Sequence, residues 1–268
     1  MTLRGLILDM DGVLWHGDAA LPGLSELFGT LERLSLPFVL ATNNATKTVG
    51  QYVEKLARFG VAVAPEQILT SPSATAGFLQ ERYPAGTNVY VVGEVGLRET
   101  LSSAGFRVVG PDEVRAGAAA SVVVGGLVTT SLTYDLLATA SLLVRGGAAF
   151  VATNFDATYP SERGEVPGAG AMLAPIVSAT GVQPTVIGKP YPAMFAEALR
   201  RLGTAAAETL MVGDRLETDI DGAHTAGLRT ALVLTGISKR EDIGDRKLDY
   251  VLEDLAELCR VLEAASLK

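Results

Sequence analysis

The sequence predicts an α/β protein built on a doubly wound parallel sheet, and three observations carry that expectation. Short apolar runs such as Leu6-Ile7-Leu8 and Phe38-Val39-Leu40-Ala41 alternate with stretches whose apolar residues recur at helical spacing. The runs are continuous rather than alternating, which is the pattern of strands covered on both faces. Several end in polar residues: Asp9 and Asp11, Thr42 and Asn43, Lys189, and Asp214. Open α/β sheets bind ligands beyond the carboxyl ends of their strands, so these four clusters can meet although they span most of the chain.

The elements follow in order. Leu6 to Leu8 is the first strand. Leu24, Leu27, Phe28, Leu31 and Leu34 predict a helix between Pro22 and Leu36, and Pro37 to Ala41 a second strand. Val49, Tyr52, Val53, Leu56 and Phe59 mark a helix stopped by Gly60. Ile68-Leu69 and a helical Ala74 to Arg82 come next. A second α/β pattern starts near Asn88, with strands at Val89 to Gly93, Ser121 to Gly126 and Ala149 to Thr153. Its helices are Val95 to Ala104, Leu132 to Val144 and Ala169 to Ala179, and Gly164 to Gly170 reads as a loop entering the last of them. After Pro184 the first pattern is expected to resume with a short strand, Thr185 to Ile187, before Gly188-Lys189-Pro190. A helix from Met194 to Leu202, a strand at Leu210 to Val212, a helix from Ile220 to Ala226 and a strand at Thr230 to Leu234 follow. An amphipathic helix from Leu255 to Ala264 ends the series.

Composition narrows the function classes. A chain of 268 residues, 48% of them hydrophobic, has room for two domains with full cores. A net charge of −8 argues against nucleic acid or an anionic membrane as the main partner, and leaves a small anionic substrate open. The single cysteine, Cys259, cannot form an internal disulfide; it suits a reducing compartment and reads as a small buried apolar group on the last helix. The N-terminal apolar run is cut short by Asp9, unlike a signal peptide. The stretch from Ala116 to Val128 is too short to span a bilayer. The expectation is a cytoplasmic protein.

Asp9 and Asp11 are two apart, so on an extended chain they point the same way. Like charges that close repel unless a cation, a proton or a reacting phosphate lies between them. A solvated Asp-Gly turn is the other reading of these residues. Together the four clusters offer three carboxylates, a hydroxyl, amides and an ammonium. Phosphoryl transfer calls for that inventory: oxygen ligands for Mg²⁺, cations and donors for the phosphoryl oxygens, and a carboxylate that can act as nucleophile.

In order along the chain, Asp9-Met10-Asp11-Gly12-Val13-Leu14, Thr42-Asn43-Asn44, Gly188-Lys189-Pro190 and Gly213-Asp214-Arg215-Leu216-Glu217-Thr218-Asp219 resemble the four motifs of the haloacid dehalogenase superfamily. The resemblance is to its phosphatases of the NagD and 4-nitrophenyl phosphatase type, which Thr153-Asn154-Phe155-Asp156 and Pro167-Gly168-Ala169-Gly170-Ala171 also resemble. It implies a Rossmann-like core formed by 1–81 and 184–268, with an α/β cap inserted at 82–183. It implies that Asp9 attacks phosphorus and that Asp11 protonates the leaving oxygen, then takes a proton from water. Thr42, Asn43 and Asn44 would hold the phosphoryl group. For Thr42 and Asn43, capping the following helix is a compatible role. Lys189 would neutralise charge between Asp9 and phosphate; alone it reads as a solvated charge. Mg²⁺ would be held by Asp9, Asp214 and the carbonyl of Asp11, and Asp219 would orient a metal-bound water or Lys189.

The motifs of the core touch only the phosphoryl group, so the leaving group must be chosen by the cap. The candidates are Asn154, Asp156 and Tyr159, for which a capped turn is the plain structural reading. The pyridoxal phosphate phosphatases of this branch carry histidine where Tyr159 falls, a departure that argues against vitamin B6 phosphate. Trp15 is expected to pack beside the first strand, His16 to be solvated, His224 to be structural, and Asp221 and Glu162 to be surface charges. The resemblance further implies a homodimer through the cap, with the strand near Val122 at the interface. The alternatives are a phosphate-binding or phospho-accepting regulator without turnover, a signalling receiver domain, and a dehalogenase. Receivers are shorter and carry their Asp on a later strand; a dehalogenase needs neither Asp11 nor Asp214.

Overall fold

The computed structural model describes residues 3–161 and 164–266; Glu162 lies outside them. The strands are β1 (Gly5–Leu8), β2 (Trp15–His16), β3 (Ala19–Ala20), β4 (Phe38–Thr42), β5 (Ile68–Thr70), β6 (Asn88–Val92), β7 (Arg107–Val109) and β8 (Val122–Gly125). They continue with β9 (Ala149–Ala152), β10 (Thr158–Ser161), β11 (Gly164–Pro167), β12 (Thr185–Val186), β13 (Thr209–Gly213), β14 (Arg229–Val233) and β15 (Tyr250–Leu252). The chain divides into two compact units. One holds the residues up to Thr42, Val49–Leu69 and those from Lys189 onward; the other holds Asn43–Thr48 and Thr70–Gly188.

The first unit is a six-stranded sheet in the order β15-β14-β13-β1-β4-β5. β1 pairs in parallel with both β13 and β4, and β14 in parallel with both β13 and β15. Every residue of β1 and β13 is buried, because helices cover both faces. Leu6 and Leu8 pack in one cluster with Leu27, Tyr52, Leu56 and Leu258. Cys259 is in that cluster too, buried as expected. The helix after β4 begins only at Val49, so Thr42 and Asn43 do not cap it. The expected Ile220 to Ala226 helix is present as a short helix, Asp221–Thr225, and a wide helical turn, Leu216–Ile220, leads into it. β15 was not foreseen, since three residues between Asp249 and Glu253 show no readable period.

The second unit is a five-stranded parallel sheet in the order β12-β9-β8-β6-β7. Three expectations are corrected here. The Thr185 strand does not resume the first sheet; β12 pairs Thr185 with Val151 and Val186 with Ala152, at the edge of the second. The strand near Val122 is the middle of that sheet, fully buried between β6 and β9, so it cannot face a partner subunit. The Gly164 segment is not a plain loop either: β10 and β11 form an antiparallel hairpin with Tyr159 opposite Val166. β7 and a one-turn helix, Pro111–Arg115, lie in a stretch for which no element was expected.

Candidate active site

The strand order of the first sheet sets the site. From β1 the chain builds outward through β4 and β5, then returns to add β13, β14 and β15 on the other side. The crevice at such a reversal lies beyond the carboxyl ends of β1 and β13. Leu8 is in register with Val212, and the Asp9 amide donates to the Val212 carbonyl at 2.9 Å. Asp9 and Asp214, the residues just past the two strands, are therefore neighbours. Asp219 joins them from the wide turn, and one carboxylate oxygen from each of these three buried residues lies within 4.8 Å of the others.

The buried ammonium of Lys189 answers this charge. Lys189 Nζ is 2.5 Å from Asp9 Oδ1 and 2.7 Å from Asp219 Oδ1, and it donates to the Ala41 carbonyl at 3.0 Å. It reaches them from a turn with a cis Lys189-Pro190 peptide, not from the end of a core strand. Burial works against its charge, but Asp219 and Asp9 outweigh burial and hold the ammonium well above its ordinary range. Burial raises the carboxyl of Asp9 well above the usual carboxylate range; Lys189 opposes this, and Asp219 and Asp214 add to it. Burial and then Asp219 push Asp214 up to about 6. The cluster thus carries more negative charge than one lysine neutralises. Asp214 Oδ1 is buried with no hydrogen-bond partner, while Oδ2 accepts from the Ile237 amide at 2.9 Å. Hard oxygens, surplus negative charge and an orphaned carboxylate oxygen fit a divalent cation.

Backbone shapes this pocket, and that part escaped sequence reasoning. Gly12 has a φ of +85°, and a Cβ there would stand 2.4 Å from Asp214 Oδ2. A Cβ on Gly236 would stand 2.0 Å from the same atom. Thr235 Oγ1 donates to the Gly12 carbonyl at 2.7 Å, and the Ser238 amide to the Asp214 carbonyl at 3.0 Å. The segment from Thr235 to Ser238 has no sequence signal beyond an ordinary turn, because it acts mainly through main-chain atoms.

The other expected residues fall differently. Thr42 is buried at the end of β4. Asp11 is exposed, and its carboxylate is outside the three-acid cluster; Oδ1 accepts from the indole N–H of Trp15 at 2.8 Å. β1 ends at Leu8, and the chain turns at Gly12, just past Asp11. Trp15 is fully buried. His16 is exposed and donates to the Thr235 carbonyl at 2.7 Å. Asp221 is a surface charge of the short helix, its side chain 44% exposed, and it pairs with Arg246 at 2.9 Å; His224, expected to be structural, is exposed.

Asn43 and Asn44 belong to the second unit, whose own sheet reverses between β6 and β8. The loop 43–48 packs against the strand ends there: a Cβ on Gly96 would be 3.0 Å from the Thr46 carbonyl oxygen, and one on Gly188 2.5 Å from Asn43 Oδ1. Asn154 donates to the Asn43 carbonyl at 2.7 Å, as does Ser71, and Asn43 Nδ2 donates to Asp156 Oδ2 at 3.3 Å. Asn44 Oδ1 accepts from the amide and hydroxyl of Thr46 at 2.9 and 2.7 Å. Asn154 and Asp156 thus grip the loop that follows Thr42. Tyr159 is half-buried on the hairpin.

Comparison with known proteins agrees with this geometry. Residues 6–107 match the family model of haloacid dehalogenase-like hydrolases, and 186–258 a HAD-hydrolase-like model. The chain is 37% identical over 258 residues to 5'-nucleotidase YutF of Bacillus subtilis, covering 96% of this chain and 97% of that protein. It is 37% identical over 262 residues to an acid sugar phosphatase of Staphylococcus aureus, covering 97% and 98%. Among solved structures, p-nitrophenyl phosphatase from Archaeoglobus fulgidus superposes with a TM-score of 0.89 at 32% identity, covering 98% of this chain and all of that one. Glycerol phosphate phosphatase from Mycobacterium tuberculosis, in complex with magnesium, gives 0.85 at 35% identity, covering 97% of this chain and 78% of that one. The chain belongs to the haloacid dehalogenase-like hydrolases, in the branch of the NagD and 4-nitrophenyl phosphatase type.

Proposed function

We propose that this chain hydrolyses small phosphomonoesters with Mg²⁺, through a phosphoryl group carried transiently on Asp9. It is a phosphatase of its family, and the observation that carries the finer reading is the Asp9–Asp214–Asp219 cluster with Lys189 as its buried counter-charge. Mg²⁺ would be held by Asp9, Asp214 and the Asp11 carbonyl, and when bound it supplies charge neutralisation for the phosphoryl oxygens. An Asp9 carboxylate oxygen bonds to phosphorus as the ester oxygen leaves, taking a proton from Asp11. Water then attacks phosphorus, Asp11 accepts its proton, and Asp9 is released with inorganic phosphate. Lys189 holds Asp9 in place and favours its ionised form against burial; Asp219 holds Lys189. Thr42, Asn43 and Asn44 bind the phosphoryl oxygens. The 82–183 insertion acts as the cap, and the single buried Cys259 suits a reducing, cytoplasmic setting. Among the described residues no helix is long and apolar enough to cross a membrane.

The test is turnover of a panel of phosphomonoesters with Mg²⁺, after chelation, and after Mg²⁺ is restored. Loss and recovery are expected; turnover indifferent to chelator would refute the metal assignment. Thermal unfolding adds an independent measure. The folded value for Asp214, about 6, lies above its ordinary 3.8. Between those values the folded chain holds the extra proton, so this group's contribution to metal-free stability falls as pH rises through the window. Cation binding needs the ionised form. The rise in melting temperature on adding Mg²⁺ is therefore expected to be larger at about pH 7.5 than at about pH 5, and equal rises would contradict it.

Selectivity is assigned to Asn154, Asp156 and Tyr159, whose amide, carboxylate and phenol suit a polyol or sugar-like leaving group. Names among the relatives, acid sugar phosphatase and glycerol phosphate phosphatase, support that class. Alanine at these positions is expected to reorder alkyl substrates more than it slows an activated aryl phosphate. A uniform fall would mean that Asn154 and Asp156 serve only to hold the loop at Asn43.

A further inference from the structure

Lys55 occupies a position where the pattern calls for an apolar residue. Tyr52, Leu56 and Phe59 mark the inward stripe of the helix Val49–Arg58 and its end, and Lys55 lies within that stripe, 3% exposed. A buried ammonium needs partners. Nζ donates to the Gly17 carbonyl at 2.6 Å and stands 4.3 Å from the centre of the Trp15 ring and 5.9 Å from that of Phe59. Tyr52 stacks on Trp15 at 6.3 Å, and Phe59 meets it at 6.0 Å. The lysine thus pins the β2–β3 hairpin twice, through the main chain at Gly17 and through the indole face. The indole's N–H is the donor that fixes Asp11 Oδ1 at 2.8 Å.

We propose that Lys55 is a positioning residue for proton transfer: by holding the Trp15 ring, it holds the indole N–H that orients the Asp11 carboxylate. The inference rests on the proposed acid–base role of Asp11, but its structural half does not. A cation over an aromatic face is attracted by the ring's quadrupole and resists tilting of the ring. A tilted ring would carry its N–H away from Asp11. The cost should therefore fall on the step that needs the proton, while phosphoryl binding is spared.

Trp15 is the only tryptophan in the chain, so its fluorescence reads the first link without reference to activity. Lys55→Met keeps the apolar stem and removes the charge; Lys55→Arg keeps a cation; Trp15→Phe keeps a ring but removes the N–H. In Lys55→Met, acrylamide quenching of Trp15 is expected to rise at least about twofold over wild type. In Lys55→Arg it should stay near the wild-type level. For turnover, 4-nitrophenyl phosphate needs little help with its leaving group, whereas glycerol 3-phosphate needs a proton. Lys55→Met and Trp15→Phe are expected to lower kcat on glycerol 3-phosphate at least about tenfold more than on 4-nitrophenyl phosphate, with KM little changed. Lys55→Arg should restore most of that difference. If Lys55→Met does not fold, Trp15→Phe still tests the indole–Asp11 link and Lys55→Arg the cation. Unchanged quenching in a folded Lys55→Met would overturn the role of the lysine. Equal losses on both substrates in Trp15→Phe would overturn the role of the indole. If wild-type protein hydrolyses neither substrate, the reading of the site fails instead, and the quenching result stands by itself.

Discussion

Asp9→Asn is expected to lower kcat by at least about 10⁴-fold on every phosphomonoester, whatever its leaving group. The amide is a far poorer nucleophile than the carboxylate, and removal of a nucleophile is among the largest single losses in catalysis. The environment makes the substitution informative. Asp9 is buried, and Lys189, Asp219 and Asp214 all act on its charge. Asparagine keeps the volume and can still accept from Lys189, so the fold should hold while the nucleophile is lost. Binding of phosphate or of a slow substrate should persist, and a stable inactive protein that still binds is the expected result. Wild-type turnover in this variant would remove Asp9 from the chemistry and favour the phosphate-binding alternative. Beryllofluoride, a mimic of a phosphorylated carboxylate, should bind the wild type and fail to bind this variant.

Some of the site can be read from residue order, and some cannot. Asp9 and Asp214 are legible because each follows a short apolar run, and strand-end carboxylates in a parallel sheet share an edge. Their adjacency needs the strand order, which places β13 beside β1. Lys189 is legible as part of a motif, but its strand is not: β12 has two residues, too few for any period to say which sheet it joins. The cradle of Gly12, Gly236 and the Ile237 amide is invisible because backbone holds Asp214, and backbone groups are common to all sequences. Lys55 misleads in the opposite direction. A lysine on an amphipathic helix reads as solvated, whereas this one is buried against the ring of Trp15 and the carbonyl of Gly17. The interface expected at Val122 failed because a valine run describes burial without naming what does the burying. Here neighbouring strands cover it.

Lys189→Met should damage both chemistry and fold, and the pH dependence separates the two. The methionine stem fills similar space, so packing is nearly conserved. What is lost is the ammonium bonded to Asp9, Asp219 and the Ala41 carbonyl. Removing one partner of a buried ion pair typically costs about 3–5 kcal/mol, because the remaining charge is left uncompensated. Here the carboxylates of Asp9, Asp214 and Asp219 remain, with oxygens within 4.8 Å. The cluster relieves this repulsion by taking up protons, and the folded values of Asp9 and Asp214 rise further above the unfolded ones. Stability of the variant should then fall as pH rises, since the folded state binds more protons than the unfolded one throughout that range. The deficit against wild type is expected to be largest near pH 8 and smaller near pH 5, measured by denaturant unfolding without added metal. Turnover should fall by about 10³-fold or more even where the protein is folded, because a preorganised cation at the phosphoryl group is worth about that much. A deficit in stability that is independent of pH would show that Lys189 is not the counter-charge of the cluster. Near-wild-type turnover would show that the cluster does its chemistry without it.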